Sequence, residues 1–121
     1  MDINALVEKI KRRPDYHKVG MILCHNGVVR GTSRDGRKVN GLRVAVDRDT
    51  LERVIRTHKE RPGIFEILVQ INADCDLEVG DDVMLLAVAG DIRENVTAVL
   101  SDALNAIKST VTTKTEFFTE T

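Results

Sequence analysis

Three basic residues are conspicuous because they are the only cations in an acidic half of the chain. Residues 1–61 carry 15 basic and 8 acidic side chains (net +7), whereas residues 62–121 carry 3 basic and 11 acidic ones (net −8). The three cations of the second half are Arg93, Lys108 and Lys114. Such an asymmetry indicates a nucleic-acid partner, an anionic substrate, or two faces of one domain that pair with each other.

Arg30 and Arg93 occupy positions at the ends of predicted elements. Arg30 closes the first predicted strand, and Arg93 falls in the first turn of the main predicted helix. The first turn of a helix favours Asp or Glu, so Arg93 opposes the helix dipole. A residue that breaks a local rule is a candidate site residue. The structural alternative is an ion pair between Arg93 and Asp91 or Glu94.

A metal site is not indicated by the acidic segment 74–82. Its residues 74–78 imitate the start of a calcium loop, but Val79 occupies the position that requires glycine. No Glu follows at the twelfth position to bind calcium through both oxygens. The segment is therefore interpreted as a solvated hairpin loop.

The histidines and cysteines also lack ligand spacing. Cys24 and His25 are adjacent on a predicted strand, so their side chains leave opposite faces and cannot share a metal ion. His17 and His58 have no partner at ligand spacing, and neither common Gly-rich phosphate motif is present. A Cys-His nucleophile pair would need a distant residue to join it. We expect no metal ion and no cofactor.

Composition narrows the class of protein. The chain has 121 residues, of which 42% are hydrophobic and 31% charged. It is expected to form a single domain over residues 1–121 that folds without a disulfide or a metal. It has no apolar run long enough to span a membrane, and its polar start does not resemble a secretory signal. A cytoplasmic protein with reduced thiols is expected. Four aromatic residues offer hardly any platform for stacking nucleic-acid bases.

The apolar periodicity predicts the order α-β-β-α-β-β-α-β. This order is typical of an α+β fold in which helices cover one face of a mostly antiparallel sheet. The predicted helices span 2–13, 49–61 and 91–109, and the predicted strands span 19–30, 42–47, 64–71, 83–89 and 111–118, the last as an edge strand.

Three local features refine these predictions. Gly27 marks a bulge or bend in the first strand. Residues 83–89 are apolar throughout, which predicts a central strand covered on both faces. Residues 49–52 and 91–94 each begin with Asp and have Glu three residues later, the pattern of a helix N-terminal capping box.

Two segments resemble a known family. The segment from Gly20 to Arg30 is similar to the first strand of MoaE, the large subunit of molybdopterin synthase, which ends in a Gly-x-Val-Arg signature. Residues 77–83 resemble the turn between the family's later strands, and the register from Gly80 through Arg93 to Lys108 fits without a gap. The resemblance covers about residues 19–116, and its weight lies in the order and spacing of individually weak motifs.

The resemblance implies a fold and an activity. It implies an α/β hammerhead with an added small β subdomain, and a homodimer in which each protomer receives the Gly-Gly tail of MoaD, a small ubiquitin-like subunit. The tail carries a thiocarboxylate, whose sulfur is passed to cyclic pyranopterin monophosphate to build molybdopterin. Cations suit this chemistry because they hold the substrate phosphate and stabilise developing negative charge, and lysine can act as an acid, base or nucleophile.

The resemblance also assigns residues to the site. Arg30 matches the family's strand-end arginine and Arg93 the arginine of its helix-opening His-Arg pair; both would bind substrate. Lys108 matches the catalytic lysine near the end of the main helix. Lys114 is the best counterpart of a second, assisting lysine.

The chain departs from the family pattern at several of these positions. Ile92 stands where the family has histidine, and Asn72-Ala73 replaces another His-Arg pair. His25 occupies a position that is often Phe. The segment from Lys108 to Lys114 is one residue shorter than usual and lacks the family's Pro and Trp.

Three hypotheses follow. The first is a divergent MoaE-like sulfur transferase for molybdenum cofactor biosynthesis. The second is a binding module that keeps the pocket for a ubiquitin-like tail or a small anion without turnover, which the missing histidines favour. The third, a nucleic-acid binder using the basic half, lacks the usual motifs.

Overall fold

A computed structural model of the chain describes residues 1–119. A 3₁₀ turn, Tyr16–Lys18, follows the first helix, and a π-turn, Ile107–Val111, joins the last helix to the last strand. The remaining elements, in chain order, are α1 (Ile3–Lys11), β1 (Met21–Val28), β2 (Val39–Val46), α2 (Arg48–Lys59), β3 (Ile64–Ile71), β4 (Leu77–Glu78), β5 (Asp82–Gly90), α3 (Arg93–Ala106) and β6 (Thr112–Phe118). Among residues 1–119, no helix is long and apolar enough to cross a membrane.

The strands form two three-stranded antiparallel sheets, which confirms the predicted α+β class. The main sheet has the order β1-β5-β3, and a smaller one has the order β4-β2-β6. The apolar strand β5 is central, as predicted, and β6 is the predicted edge strand. The register of β1 against β5 shifts between Gly27 and Val28, which confirms the predicted bulge.

The central strand β5 contributes to a hydrophobic core on each face of the main sheet. Leu86 and Val88 pack with Val96 of α3 on one face. The alternate residues of β5 pack with Leu6 and Ile10 of α1 on the other face. The prediction that the helices share one face therefore needs correction: α1 lies opposite α3, because successive side chains of a fully buried strand need a cover on both sides.

Three local expectations also change. The acidic segment is not entirely a loop, since Leu77 and Glu78 form β4 against β2. Helix α2 begins one residue earlier than predicted, and its N-cap is Asp47, whose carboxylate accepts a hydrogen bond from the Thr50 amide at 3.1 Å. Helix α3 has no side-chain cap at its N-terminus, where Asp91 instead accepts from the Ile92 amide at 2.6 Å.

Candidate functional site

A cavity of about 410 Å³ lies between the two sheets. Its apolar wall comes from β2, the end of β3 and the start of β5. Four of its lining residues carry a basic side chain: His25, Arg34, Lys108 and Lys114. Among residues 1–119, no carboxylate lines the cavity. A partly apolar cavity with convergent cationic groups is the kind of site that binds a small organic anion.

Lys108 reaches the cavity from the π-turn that ends α3. The backbone on either side of it is fixed by Ile107 and Val111, which are 0% and 3% exposed in the core beneath. Within the turn, the Thr110 hydroxyl donates to the Ala106 carbonyl at 2.6 Å. Lys108 itself is exposed, so a solvent-accessible ammonium is carried on a firmly packed backbone. π-turns of this kind are frequent at functional sites.

Lys114 enters the same cavity from the edge strand β6, opposite Val44 of β2. Its side chain is 55% exposed, and its ammonium lies 3.9 Å from the Glu116 carboxylate. An ion pair this long and this exposed contributes little. The lysine therefore remains available to an anion in the cavity.

His25 extends from β1 into the cavity, and its Nε2 is buried without a hydrogen-bond partner. Burial, followed by the positive charge of Lys108, lowers the pKa of His25 below its usual value of 6.5. The ring is accommodated because residue 27 is glycine: a Cβ there would stand 3.2 Å from Nε2. The side chain is therefore neutral at about pH 7.

Arg34 comes from the loop between β1 and β2. A turn holds the loop, in which the Ser33 amide donates to the Arg37 carbonyl at 2.9 Å and the Gly36 amide to the Ser33 carbonyl at 3.0 Å. Gly36 has a φ of 87°, a conformation that favours glycine. Arg34 lies at the turn beside the cavity, whereas Arg37 stacks 3.6 Å from the ring centre of Phe118.

The predicted substrate-binding arginines do not line this cavity. Arg30 is exposed and donates from Nε to the Thr32 carbonyl at 2.8 Å. Arg93 begins α3, and Lys108 follows the end of that helix. At 1.5 Å per helical residue the two are separated by about 20 Å. One chain thus brings Lys108 and Lys114 together but leaves Arg93 remote.

The described part of the chain also lacks the ion pair that was the structural alternative for Arg93. Within residues 1–119, neither Asp91 nor Glu94 forms an ion pair with Arg93. The Asp91 carboxylate instead accepts from the Asn95 amide nitrogen at 2.9 Å. Arg93 is therefore an exposed cation without a charged partner among those residues.

The positions that depart from the family pattern have structural roles or face solvent. Asn72 follows β3, next to the cavity residue Ile71, and its side chain donates to the Asp82 carbonyl at 3.2 Å. Ile92 is 52% exposed beside Arg93. Neither contributes a charge to the cavity.

Sequence reasoning missed Arg34 and the part played by His25. The sequence did contain a signal for His25. This residue lies on the same face of β1 as Met21 and Leu23, which both pack in the core beneath α3. A polar residue on such a face breaks the local pattern. For Arg34 the sequence offers no comparable signal, because an arginine in a polar loop is ordinary.

Comparison with known proteins finds one matching family and several solved structures with a similar fold. The family described as "MoaE protein" matches residues 1–110 of the chain. None of the curated proteins compared matches it significantly.

Several solved structures share the fold at low identity. The molybdopterin cofactor biosynthesis protein E of Burkholderia multivorans is 22% identical, with a TM-score of 0.78 over 98% of this chain and 82% of that chain. The molybdopterin synthase of Staphylococcus aureus is 19% identical, with a TM-score of 0.72 over 90% and 87% of the two chains. A complex of subunits 1 and 2 of the molybdopterin-converting factor of Helicobacter pylori contains a chain that is 15% identical, with a TM-score of 0.71 over 99% of this chain and 85% of that chain.

Proposed function

The chain belongs to the MoaE protein family, which matches residues 1–110, and we propose that it transfers sulfur in molybdenum cofactor biosynthesis. The sulfur donor is the thiocarboxylated Gly-Gly tail of a MoaD-like small subunit, and the acceptor is cyclic pyranopterin monophosphate. A structural relative from Helicobacter pylori is a complex of the two subunits of the molybdopterin-converting factor, which supports a small-subunit partner.

The observation that carries this proposal is the meeting of Lys108 and Lys114 in one cavity that no carboxylate of the described chain lines. The reaction passes a negatively charged sulfur to a substrate that bears a phosphate. Two ammonium groups stabilise that charge, and the apolar wall strengthens their effect when bound substrate displaces water from the cavity.

In this proposal each basic residue has a separate role. Lys108 is the principal catalytic residue because its backbone is the more firmly packed, and Lys114 assists it from the opposite wall. Arg30 and Arg93 bind anionic parts of the substrate or partner. Because Arg93 lies about 20 Å from Lys108 along α3, it can act at a cavity only if a second copy of the chain supplies it. A homodimer is therefore part of the proposal.

Reconstitution tests the catalytic role. The chain is mixed with a thiocarboxylated MoaD-like subunit and the pterin substrate, and molybdopterin formation is measured. We expect product with the wild-type chain and a rate lowered about 100-fold or more in Lys108→Ala, since general acid–base and electrostatic contributions are of this size. Lys18→Ala, which removes an exposed lysine outside the cavity, is the matched control. No product with wild-type protein, or an undiminished rate in Lys108→Ala, contradicts the proposal.

A second candidate function is a binding module without turnover. It is favoured by Ile92, Asn72 and Ala73, which leave no histidine or arginine at three positions where the family has them. A pull-down that captures the small subunit while the reconstituted assay remains silent identifies this function. Product formation at a rate that depends on Lys108 excludes it.

A further inference from the structure

The His25 imidazole has no partner for its buried nitrogen within the described chain. Nε2 is shielded from solvent and makes no hydrogen bond among residues 1–119. Leaving a buried polar atom unpaired destabilises the fold, and such groups in folded proteins are usually satisfied. His25 itself lines the cavity, so a molecule bound there can supply the missing partner once the ring turns Nε2 toward it.

The charges around His25 indicate what kind of molecule that is. The cations that share its cavity come from three segments: Lys108 from the π-turn, Lys114 from β6 and Arg34 from the loop after β1. The walls formed by β2, β3 and β5 contribute only apolar side chains. Lys108 is the charge that acts on the ring, and the other two cations share the cavity with it, which favours an anionic occupant and disfavours a second positive charge.

The neutral imidazole suits such an occupant as a hydrogen-bond donor. Desolvation, with the field of Lys108 second, lowers the pKa of His25, so the ring adds no further charge to the empty cavity. In the tautomer that carries its proton on Nε2, it presents one N–H to the cavity. The lack of a side chain at Gly27 leaves space beside Nε2.

We propose that His25 is a binding residue of this cavity, whose Nε2–H donates a hydrogen bond to an anionic oxygen held between Lys108 and Lys114. The inference rests on the proposed function for the identity of the anion. The oxygen belongs either to the phosphate of the pterin or to the C-terminal group of the Gly-Gly tail, and both present the same chemistry to the ring.

Binding of an anion changes the protonation of His25 in a defined direction. The occupant's negative charge offsets the field of Lys108, so the pKa of His25 rises on binding. The complex then takes up protons over the interval between the lower free value and the higher bound value. By linkage, anion affinity increases as the pH falls through that interval.

Nuclear magnetic resonance of the wild-type protein tests this directly, because the chain has only three histidines. Inorganic sulfate serves as the probe for a phosphate group, since its charge is constant over the range in which histidine titrates, and acetyl-diglycine serves as the probe for the tail. We expect one or both probes to shift the ring resonances of His25 and raise its titration midpoint. His17, which is exposed, and His58, which bonds to the Val54 carbonyl at 2.7 Å, are internal controls that stay unchanged. A response to sulfate alone assigns the site to the phosphate, and a response to acetyl-diglycine alone assigns it to the tail.

A substitution measures the contribution of the ring. In His25→Phe we expect the dissociation constant of the effective probe to rise about tenfold, the size expected for one hydrogen bond to a charged group, and its dependence on pH to flatten. His17→Phe is the matched control and leaves both properties unchanged. Unshifted His25 resonances with both probes, or equal affinity and pH dependence in His25→Phe, overturn the inference. Because the assay needs no turnover, anion binding at His25 without sulfur transfer refutes the proposed function and leaves this inference intact.

Discussion

Lys108 combines an exposed side chain with a backbone that the core holds in place. Its neighbour Ile107 is fully buried, while Lys108 is exposed. Lys114 reaches the same cavity from a strand that pairs with β2. The two lysines therefore enter one cavity from two elements, one held by core packing and the other by pairing with β2. Charge stabilisation of a reacting group requires such fixed positions.

Arg34 and Arg37 provide a matched pair of variants within one loop. Arg34 lines the cavity, whereas Arg37 stacks on Phe118. We expect Arg34→Ala to weaken sulfate binding about threefold to tenfold, because an arginine at the edge of the cavity contributes a partly screened charge. Isothermal titration of sulfate measures this effect. Arg37→Ala leaves sulfate affinity unchanged; an equal loss in both variants would show that only the overall charge of the loop matters.

At the scale of elements, Glu66 of β3 ties two helix ends to the main sheet. Its carboxylate lies 2.8 Å from Arg13 after α1 and 2.9 Å from Lys59 at the end of α2. It also accepts from the Ile67 amide at 3.0 Å, and its side chain is only 15% exposed. Burial alone would raise the pKa of Glu66, but the Lys59 and Ile67 hydrogen bonds and the two cations outweigh it and lower the pKa below 4.5.

This pKa predicts how Glu66 contributes to stability at different pH. The folded protein binds this proton more weakly than the unfolded chain, so the contribution is present above the ordinary pKa of 4.5 and is lost as the pH falls through the folded-state value. We expect Glu66→Gln to lower the free energy of unfolding by about 1–3 kcal/mol at about pH 7, and by much less at about pH 3. Urea unfolding at the two pH values measures the difference. Glu8→Gln, at an exposed carboxyl of α1, is the control; an equal loss by Glu66→Gln at both pH values would contradict this account.

The π-turn is the second element whose packing can be tested. Ile107 is completely buried in the core that includes Leu51, Met84 and Val111. Ile107→Ala should destabilise the fold by about 2–4 kcal/mol, since it leaves a cavity that the surroundings fill only partly. Thermal unfolding measures this loss. Ile107→Val, with one methylene fewer, should cost about 1 kcal/mol; equal stability of the wild type and the Ala variant would show that the turn is not held by this side chain.

At the scale of the whole molecule, the two oppositely charged halves of the sequence meet in the fold. Among residues 1–119, ion pairs join basic residues of the first half to acidic residues of the second at Arg13–Glu66, Arg43–Asp76, Lys59–Glu66 and Arg61–Asp102. These pairs join four cations of the first half to three carboxylates of the second, so part of the asymmetry along the sequence is neutralised inside one fold. The interpretation of two pairing faces accounts for these residues without a nucleic-acid partner.

The separation of Arg93 from Lys108 makes a prediction about assembly. If the proposed homodimer completes each cavity with Arg93 of the other copy, a mixture of Arg93→Ala and Lys108→Ala chains forms heterodimers in which one cavity is intact. Random exchange in a two-fold dimer then restores about a quarter of the wild-type rate of molybdopterin formation. A mixture of Lys108→Ala and Lys114→Ala is the control and restores nothing, because both lysines serve the cavity of their own chain. No recovery in the first mixture would exclude a shared site.

Local patterns in the sequence determined the elements and their approximate order. These patterns depend only on residues near one another in the chain, so they could be recognised without the fold. They are the alternation in β2, the continuous apolar run of β5 and the helical spacing in α3. The resemblance singled out Lys108 and Lys114 for the same reason, since its motifs are matters of order and spacing. The element ends differ from the prediction: α2 begins at a different cap, and α3 changes to a π-turn before the predicted end.

Only the tertiary structure decided which of these residues meet. Sheet order and register bring His25, Lys108 and Lys114 to one cavity although they lie on three different elements, and the length of α3 keeps Arg93 away from them. The same packing places α1 on the face opposite α3 and turns Arg34 toward the cavity rather than Arg37. The physical reason is that such contacts depend on how the buried faces of distant segments fit together, and no pattern along a single segment records that fit.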